Sequence, residues 1–296
     1  MLDFVERYKG FIGSTEDYEK ADIVLVGAPM ELTVSFRSGT WLGPQRIRQA
    51  SYGLEEYSVD LERDLADHSY YDAGDMVLPF GSVRENLYRI GHTAEQIVKD
   101  GKLPFFLGGE HLISLPVIKE VAEKCPGLAV VHFDAHADLR EEYLGERFSH
   151  ATVMRRVAEL VGGKNIYQFG IRSGTRDEFK FARSSTNMYK NKVIEPLSET
   201  ISVLKDRPVY VSLDIDVVEP AYAPGTGTAE PGGCSSQEIL QAVYLLGELN
   251  VVGFDLVEVN PLYDPSERTA LLAAKLVRDA ILSFGRPRKN SIVNVL

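Results

Sequence analysis

The chain has 296 residues, 44% hydrophobic and 25% charged, with 43 acidic against 32 basic side chains, a formal charge of −11 and two cysteines. An acidic chain without a Lys/Arg block is a poor partner for nucleic acid or an anionic membrane and suits a small cationic molecule. No apolar run approaches the roughly 20 residues of a membrane helix, residues 1–10 carry no signal-peptide core, and neither Cys125 nor Cys234 lies in a C-x-x-C, so reduced structural thiols in a cytoplasmic protein are expected.

In chain order, Asp22 to Gly27 (DIVLVG) is a β-branched run closed by glycine, hence a strand. Residues 29–41 form a polar loop with Arg37 and Gly39. Gly43-Pro44 opens a helix, with proline at a tolerated first position. Tyr70 to Asp75 is a short strand and turn. Val83 to Lys99 has apolar residues at helical spacing. Leu103 to Leu107 is a strand closed by Gly108-Gly109-Glu110-His111. A helix over 113–124 and a strand over Leu128 to Phe133 follow. Ser149 to Val161 reads as helical and Ile166 to Ile171 as a strand. The segment from there to Lys192 shows no clear period. Leu197 to Leu204 is a helix, and Pro208 to Leu213 a strand running into Asp214-Ile215-Asp216. After a Pro/Gly-rich loop over 220–233, Ser235 and Glu238 form a capping box for a helix over 239–249. Val251 to Val257 is the last strand. Asp264-Pro265 opens the last helix, with Asp as cap and Pro at the first position.

Nothing in the composition divides the chain, and one domain over 1–296 is expected. Strands alternate with helices, and the strands lack a polar face. Helices should therefore cover both sides of a parallel sheet, in an α/β fold. In such sheets the site lies off the carboxyl ends of the strands. Four strands end in His or carboxylate: at His111, at Asp134/His136/Asp138, at Asp214/Asp216 and at Glu258.

The richest stretch is LAVVHFDAHAD, Leu128 to Asp138. On an extended segment, alternate residues face one way, so Asp134, His136 and Asp138 would converge. Their chemistry suits a divalent ion such as Mn²⁺, Zn²⁺ or Fe²⁺. The alternative is a strand end whose Asp residues cap the next helix. Asp214 and Asp216 repeat the pattern, or mark a polar loop entrance. His111 is a further ligand or a structural histidine behind a double glycine that allows close backbone packing. Together these give two His and four Asp, enough for two metals with bridging carboxylates. Without cations the carboxylates would repel one another and raise their pKa values. That charge balance favours a dinuclear centre with a bridging hydroxide as nucleophile. Glu258 can accept a guanidinium bidentately or pair with a protein Arg. His150 can be a general acid–base or a capping histidine. His68 and His92 receive no role.

These residues resemble the ureohydrolase family of arginases, agmatinases and relatives, and within it the agmatinases. The matches are GGEH (Gly108 to His111), FDAHAD (Phe133 to Asp138), SHAT (Ser149 to Thr152), SLDIDVVEPAYAPGTGTAEPGG (Ser212 to Gly233), DLVEVNP (Asp255 to Pro261) and RSGTWLGPQRIR (Arg37 to Arg48), spanning nearly the whole chain. The resemblance implies a three-layer α/β/α, arginase/deacetylase-like fold with a mostly parallel sheet. It implies two Mn²⁺ per chain and hydrolysis of a guanidino group to urea and an amine, as from agmatine to putrescine. It assigns His111, Asp134, Asp138 and Asp214 to one ion, and His136, Asp134, Asp214 and Asp216 to the other. It gives Asp138 the proton of the hydroxide, Glu258 the guanidinium and His150 the leaving amine. It also implies a homo-oligomer, a trimer or hexamer.

Two positions depart from the family pattern: Glu219, where Asp is usual after the D-x-D, and Ala151, where Gly often follows the histidine. In the loop Arg140 to Ser149, Glu141, Glu142 and Glu146 suit a distal ammonium, while Arg140 and Arg147 could hold a carboxylate. The rivals are another amidinohydrolase (guanidinobutyrase, arginase or formimidoylglutamase), a mononuclear deacetylase-like amide hydrolase, and a metal-stabilised binding protein.

Overall fold

A computed structural model describes residues 2–6 and 9–285. The reading of residues 1–10 and the expected domain end at 296 lie partly outside them. The first half of the chain carries β1 (Val5–Glu6), β2 (Ile23–Ala28), α1 (Gly43–Ser51), a small ribbon of β3 (Tyr57–Ser58) and β4 (Arg63–Asp64), β5 (Tyr70–Met76), α2 (Val83–Lys99), β6 (Leu103–Gly108), α3 (Ser114–Lys124) and β7 (Ala129–Phe133). The second half carries α4 (Val153–Val161), β8 (Ile166–Ile171), α5 (Arg176–Ser185), β9 (Asn187–Lys190), α6 (Ile194–Leu204), β10 (Pro208–Asp214), α7 (Ser236–Leu246), β11 (Asn250–Val257) and α8 (Arg268–Phe284).

Among the described residues, nine strands form one sheet in the order β1-β5-β2-β6-β11-β10-β7-β8-β9. Every pairing is parallel except that of the edge strand β1 with β5. The apolar strand runs are buried on both sides, as a parallel sheet covered by helices requires. Ile23, Leu25, Val209, Val211, Leu213, Phe254 and Leu256 pack with α1, α6, α7 and α8. The alternate residues Val24, Val26, Phe106 and Val130 pack with α2, α3, α4 and α5. The three-layer α/β/α architecture follows from this two-residue alternation. Each fully buried Leu, Ile, Val or Phe adds about 1.5–3 kcal/mol of hydrophobic stabilisation.

The four strands singled out by their terminal residues are neighbours, β6-β11-β10-β7, in the middle of the sheet. Being parallel, they deliver their carboxyl ends to one edge.

Several expectations change. The last helix starts at Arg268, not at Asp264-Pro265. Asp264 caps it from a preceding turn, where its carboxylate accepts the Thr269 N–H at 2.7 Å and the Ser266 N–H at 3.1 Å. The indistinct segment before Lys192 contains α5 and β9. Its signal was a capping box, Thr175 and Glu178, in which each side chain bonds the other's backbone. The box at Ser235 and Glu238 forms as expected, although α7 begins at Ser236 and ends at Leu246. The central strands are also not wholly apolar, because each of four carries a buried polar residue. No helix of the described residues is long and apolar enough to cross a membrane. Both cysteines are free and half-buried, with thiol pKa values pushed up by burial.

Candidate active site

The turn after β6 depends on close backbone approach. A Cβ on Gly109 would lie 2.1 Å from the Met30 carbonyl oxygen. With glycine there, the Gly109 N–H reaches the Ala28 carbonyl at 2.9 Å and the Glu110 N–H reaches that of Met30 at 2.8 Å. His111 then opens a short turn ahead of α3. Beyond β7 the chain does not stay extended, as the alternating pattern suggested. Asp138 takes a left-handed φ of 52°, and His136 bridges to Ser173. Glu258, just past β11, is also left-handed, with φ 65°. Such backbone costs of order 1–3 kcal/mol per residue and persists only where surrounding contacts enforce it. At Glu258 those contacts are its N–H to the Gly109 carbonyl, 2.9 Å, and its Oε1, which accepts the His111 N–H at 2.9 Å. No ion pair to Glu258 forms among the described residues.

The strand ends converge. His111 Nδ1 lies 3.1 Å from Asp134 Oδ2, 3.2 Å from Asp214 Oδ2 and 3.4 Å from Asp138 Oδ2. His136 Nδ1 lies 2.8 Å from Asp216 Oδ2 and 3.5 Å from Asp134 Oδ1. Asp216 Oδ1 accepts the Ala135 N–H, which ties the two acidic segments together. Asp138, Asp214 and Glu258 are pushed well above the usual carboxylate range, first by burial and then by Asp134, Asp216 and Asp214 respectively. The repulsion anticipated from the sequence acts on Asp138 and Asp214 but not on Asp134, which the facing histidines hold well below the usual range against burial. Among the described residues His111 Nδ1 is buried without a hydrogen-bond partner, and the other ring nitrogen, Nε2, meets Ser212 Oγ at 2.9 Å. Ser212 directs its hydrogen to Asp255 Oδ1, 2.7 Å away. Nε2 therefore carries the imidazole hydrogen, and Nδ1 presents a lone pair among three carboxylate oxygens. A divalent cation fits that donor set.

Sequence reading missed the support beneath these groups. Asp255, Ser212, His132 and Gln168 are register partners across β11, β10, β7 and β8. They make one buried polar row. The Gln168 amide donates to the Ala137 carbonyl at 2.9 Å and faces His132 Nδ1 at 3.2 Å, while its oxygen accepts from Thr186. His132 Nδ1 is thereby an acceptor, so Nε2 donates to Asp134 Oδ2 at 2.9 Å. His132 sits within ligand distance of His111, Asp134 and Asp138. With Nε2 protonated it holds Asp134 in place and offers no lone pair to a metal. The missed signal was one polar residue at a similar depth in four apolar runs.

A cavity of about 300 Å³ opens over the cluster, the small end of the range for ligand pockets. His111, His136, Asp138, His150, Asp214, Asp216 and Glu258 all line it, together with Ala151, Arg140, Glu178 and Glu230. His150 sits on a short turn capped by Ser149, with burial holding its pKa down to about 4. Glu141, Glu142 and Glu146 are absent from the lining. Glu141 is occupied by Arg155 at 2.6 Å and Arg156 at 3.3 Å, and Arg147 by Glu159 at 2.7 Å. Beyond the cluster the acidic lining is Glu178, which accepts the Leu139 and Thr175 N–H groups, and Glu230, which the sequence reading passed over. Arg140 does line the cavity, stacked over Tyr143 and 3.7 Å from Glu178.

The Arginase family model matches residues 21–283. The chain belongs to the arginase family. It is 51% identical to an agmatinase of Bacillus subtilis over 96% of this chain and 99% of that one. It is 49% identical to an agmatinase of Bacillus anthracis, again over 96% and 99%. A solved structure titled a putative agmatinase, from Clostridium difficile, superposes with a TM-score of 0.89 at 39% identity, over 91% of this chain and 99% of that one. The two departures from the family pattern are accommodated. Glu219 accepts the N–H groups of Gly232 and Gly233 at 2.7 and 2.9 Å and so closes the loop over 220–233. Ala151 lies on the cavity wall.

Proposed function

We propose that this enzyme hydrolyses agmatine to putrescine and urea at a centre of two manganese ions. The observation that carries the reading is His111 Nδ1, a buried lone pair facing Asp134, Asp138 and Asp214. His111, Asp134, Asp138 and Asp214 would hold one ion; His136, Asp134, Asp214 and Asp216 would hold the other. A carboxylate-rich set with two imidazoles suits manganese. Two bound ions would supply Lewis acidity and lower the pKa of water toward about 7.

The chain's own groups divide the remaining work. Glu258 keeps one oxygen on the His111 N–H and offers the other to the guanidinium. Asp138 accepts the proton of the attacking water. His150, neutral at rest, takes up a proton at its ring and passes it to the departing amine as the C–N bond breaks. Glu230, half-buried and without an ion pair or hydrogen bond to its carboxylate among the described residues, meets the distal ammonium. The relatives named agmatinase support agmatine as the substrate. Arg140 on the cavity wall favours a second reading, a guanidino acid such as guanidinobutyrate. Urea release from agmatine, arginine and guanidinobutyrate separates the two; urea from the acid but not from agmatine would overturn the first. Fewer than two manganese ions per folded, loaded chain would overturn the dinuclear centre. We place the enzyme in the cytoplasm as a trimer or hexamer, which sedimentation of the native protein tests.

A further inference from the structure

The polar loop over 29–41 reaches the site through Thr33, which takes no part in the reading above. Its anchor is Glu110, fully buried beside the metal cluster, with Oε2 accepting the N–H groups of Leu32 at 3.0 Å and Thr33 at 2.7 Å. The Thr33 hydroxyl donates to Glu110 Oε1 at 3.0 Å. With its hydrogen committed, Thr33 Oγ1 has only lone pairs left, and both face His150. One accepts the His150 backbone N–H at 2.9 Å, and the other lies 3.3 Å from His150 Nδ1. The next neighbour of Nδ1, Ser149 Oγ, is 3.4 Å away and can rotate to suit. His150 Nε2 is left on the cavity side, 3.5 Å from Ser35, which lines the cavity. Tyr143 closes edge-on against the ring, with centroids 5.5 Å apart.

We propose that Thr33 is a positioning residue. Clamped by Glu110, it engages Nδ1 and the backbone of His150, and so fixes Nε2 as the atom that exchanges a proton with the leaving amine. The inference rests on the proposed guanidine hydrolysis and on His150 as its proton donor. A hydroxyl on Oγ1 is required and a methyl is not, which makes the test a matched pair.

The experiment measures urea release by the manganese-loaded enzyme with Thr33→Val and Thr33→Ser, each also combined with His150→Ala. Thr33→Val is expected to lower kcat about 10- to 100-fold, the scale of a misplaced proton donor, with KM and manganese content unchanged. Thr33→Ser should restore most of the loss. In the His150→Ala background, Thr33→Val should have no further effect. The loss should also shrink on an oxyguanidine analogue of agmatine, whose leaving amine is a weaker base and needs less help from an acid. Full activity in Thr33→Val, equal losses in Val and Ser, or an undiminished loss without His150 would each overturn the inference. If Thr33→Val fails to fold, Thr33→Ala takes its place in the same cycle: a loss as large without His150 as with it overturns the proposal. Wild-type enzyme that released no urea from any guanidino substrate would instead sink the proposed function, so the two failures are distinct.

Discussion

The two faces of the central sheet are built from the same strands and do different work. On the side of α1, α6, α7 and α8, β10 presents Val209, Val211 and Leu213, and β7 presents Ala129, Val131 and Phe133. That face is apolar throughout these strands. On the side of α2 to α5, the alternate positions of the same strands include Tyr210, Ser212 and His132, continued by Asp255 and Gln168. That face carries the hydrogen bonds that orient His111 and Asp134. A one-residue step along a strand therefore separates packing from ligand support. The polar row can be buried because its members satisfy one another: Tyr210 and Ser212 both donate to Asp255, at 2.6 and 2.7 Å.

The largest test of this division is Asp134→Ala. Asp134 faces His111, His132 and His136 and is buried completely. Its removal should abolish turnover and metal binding together, read by urea release and by metal analysis of the folded variant. Retained metal would show that the remaining carboxylates suffice and that His132 supports nothing essential. Glu258→Gln should also remove turnover, by orders of magnitude, yet keep the metal, because its oxygen bonds the His111 backbone and not the ring. Metal loss in that variant would move Glu258 from the substrate to the metal centre.

Adjacent residues in β10 give the most direct contrast. Leu213→Ala, on the apolar face, should cost about 2–5 kcal/mol of stability by opening a cavity, with metal affinity unchanged in the folded protein. Ser212→Ala, one residue away, should cost less, about 1–3 kcal/mol for the buried groups left without a partner. It should weaken metal binding about 10- to 100-fold, the usual effect of losing a ligand's outer hydrogen bond. Denaturant titration and metal titration of both variants measure this. If Ser212→Ala destabilised the fold while sparing the metal, the division between the faces would be wrong.

The same contrast explains what the sequence could reveal. His111, Asp134, His136, Asp138, Asp214, Asp216 and Glu258 were legible because each closes an apolar run, and parallel strands put all run ends on one edge. The row beneath them was not. His132, Gln168, Ser212 and Asp255 look like isolated polar residues in core strands until strand order and register make them neighbours. Glu141 failed for a related reason: its charge was visible, but the claim on it by Arg155 and Arg156 of α4 was not. The start of α8 was misplaced because Asp264 and Pro265 carry every local mark of a helix start, and the cap acts from one turn too early.

The smallest effect concerns His150, on the wall of the same cavity. At His150 burial prevails and the pKa falls to about 4. An unfolded chain protonates that imidazole near 6.5. The folded state therefore binds fewer protons at this position between pH 6.5 and 4, and the stability tied to neutral His150 is complete above 6.5 and lost as pH falls through that window. His150→Gln removes the titration while keeping a polar side chain of similar reach. The melting temperature of the wild type relative to His150→Gln should accordingly decline as pH is lowered from 7 to 4, by a few degrees at most. Carboxylates and histidines common to both proteins cancel in the difference. A difference that stayed flat, or moved in favour of the wild type at low pH, would mean that folding does not hold the His150 pKa down and that burial does not set its charge.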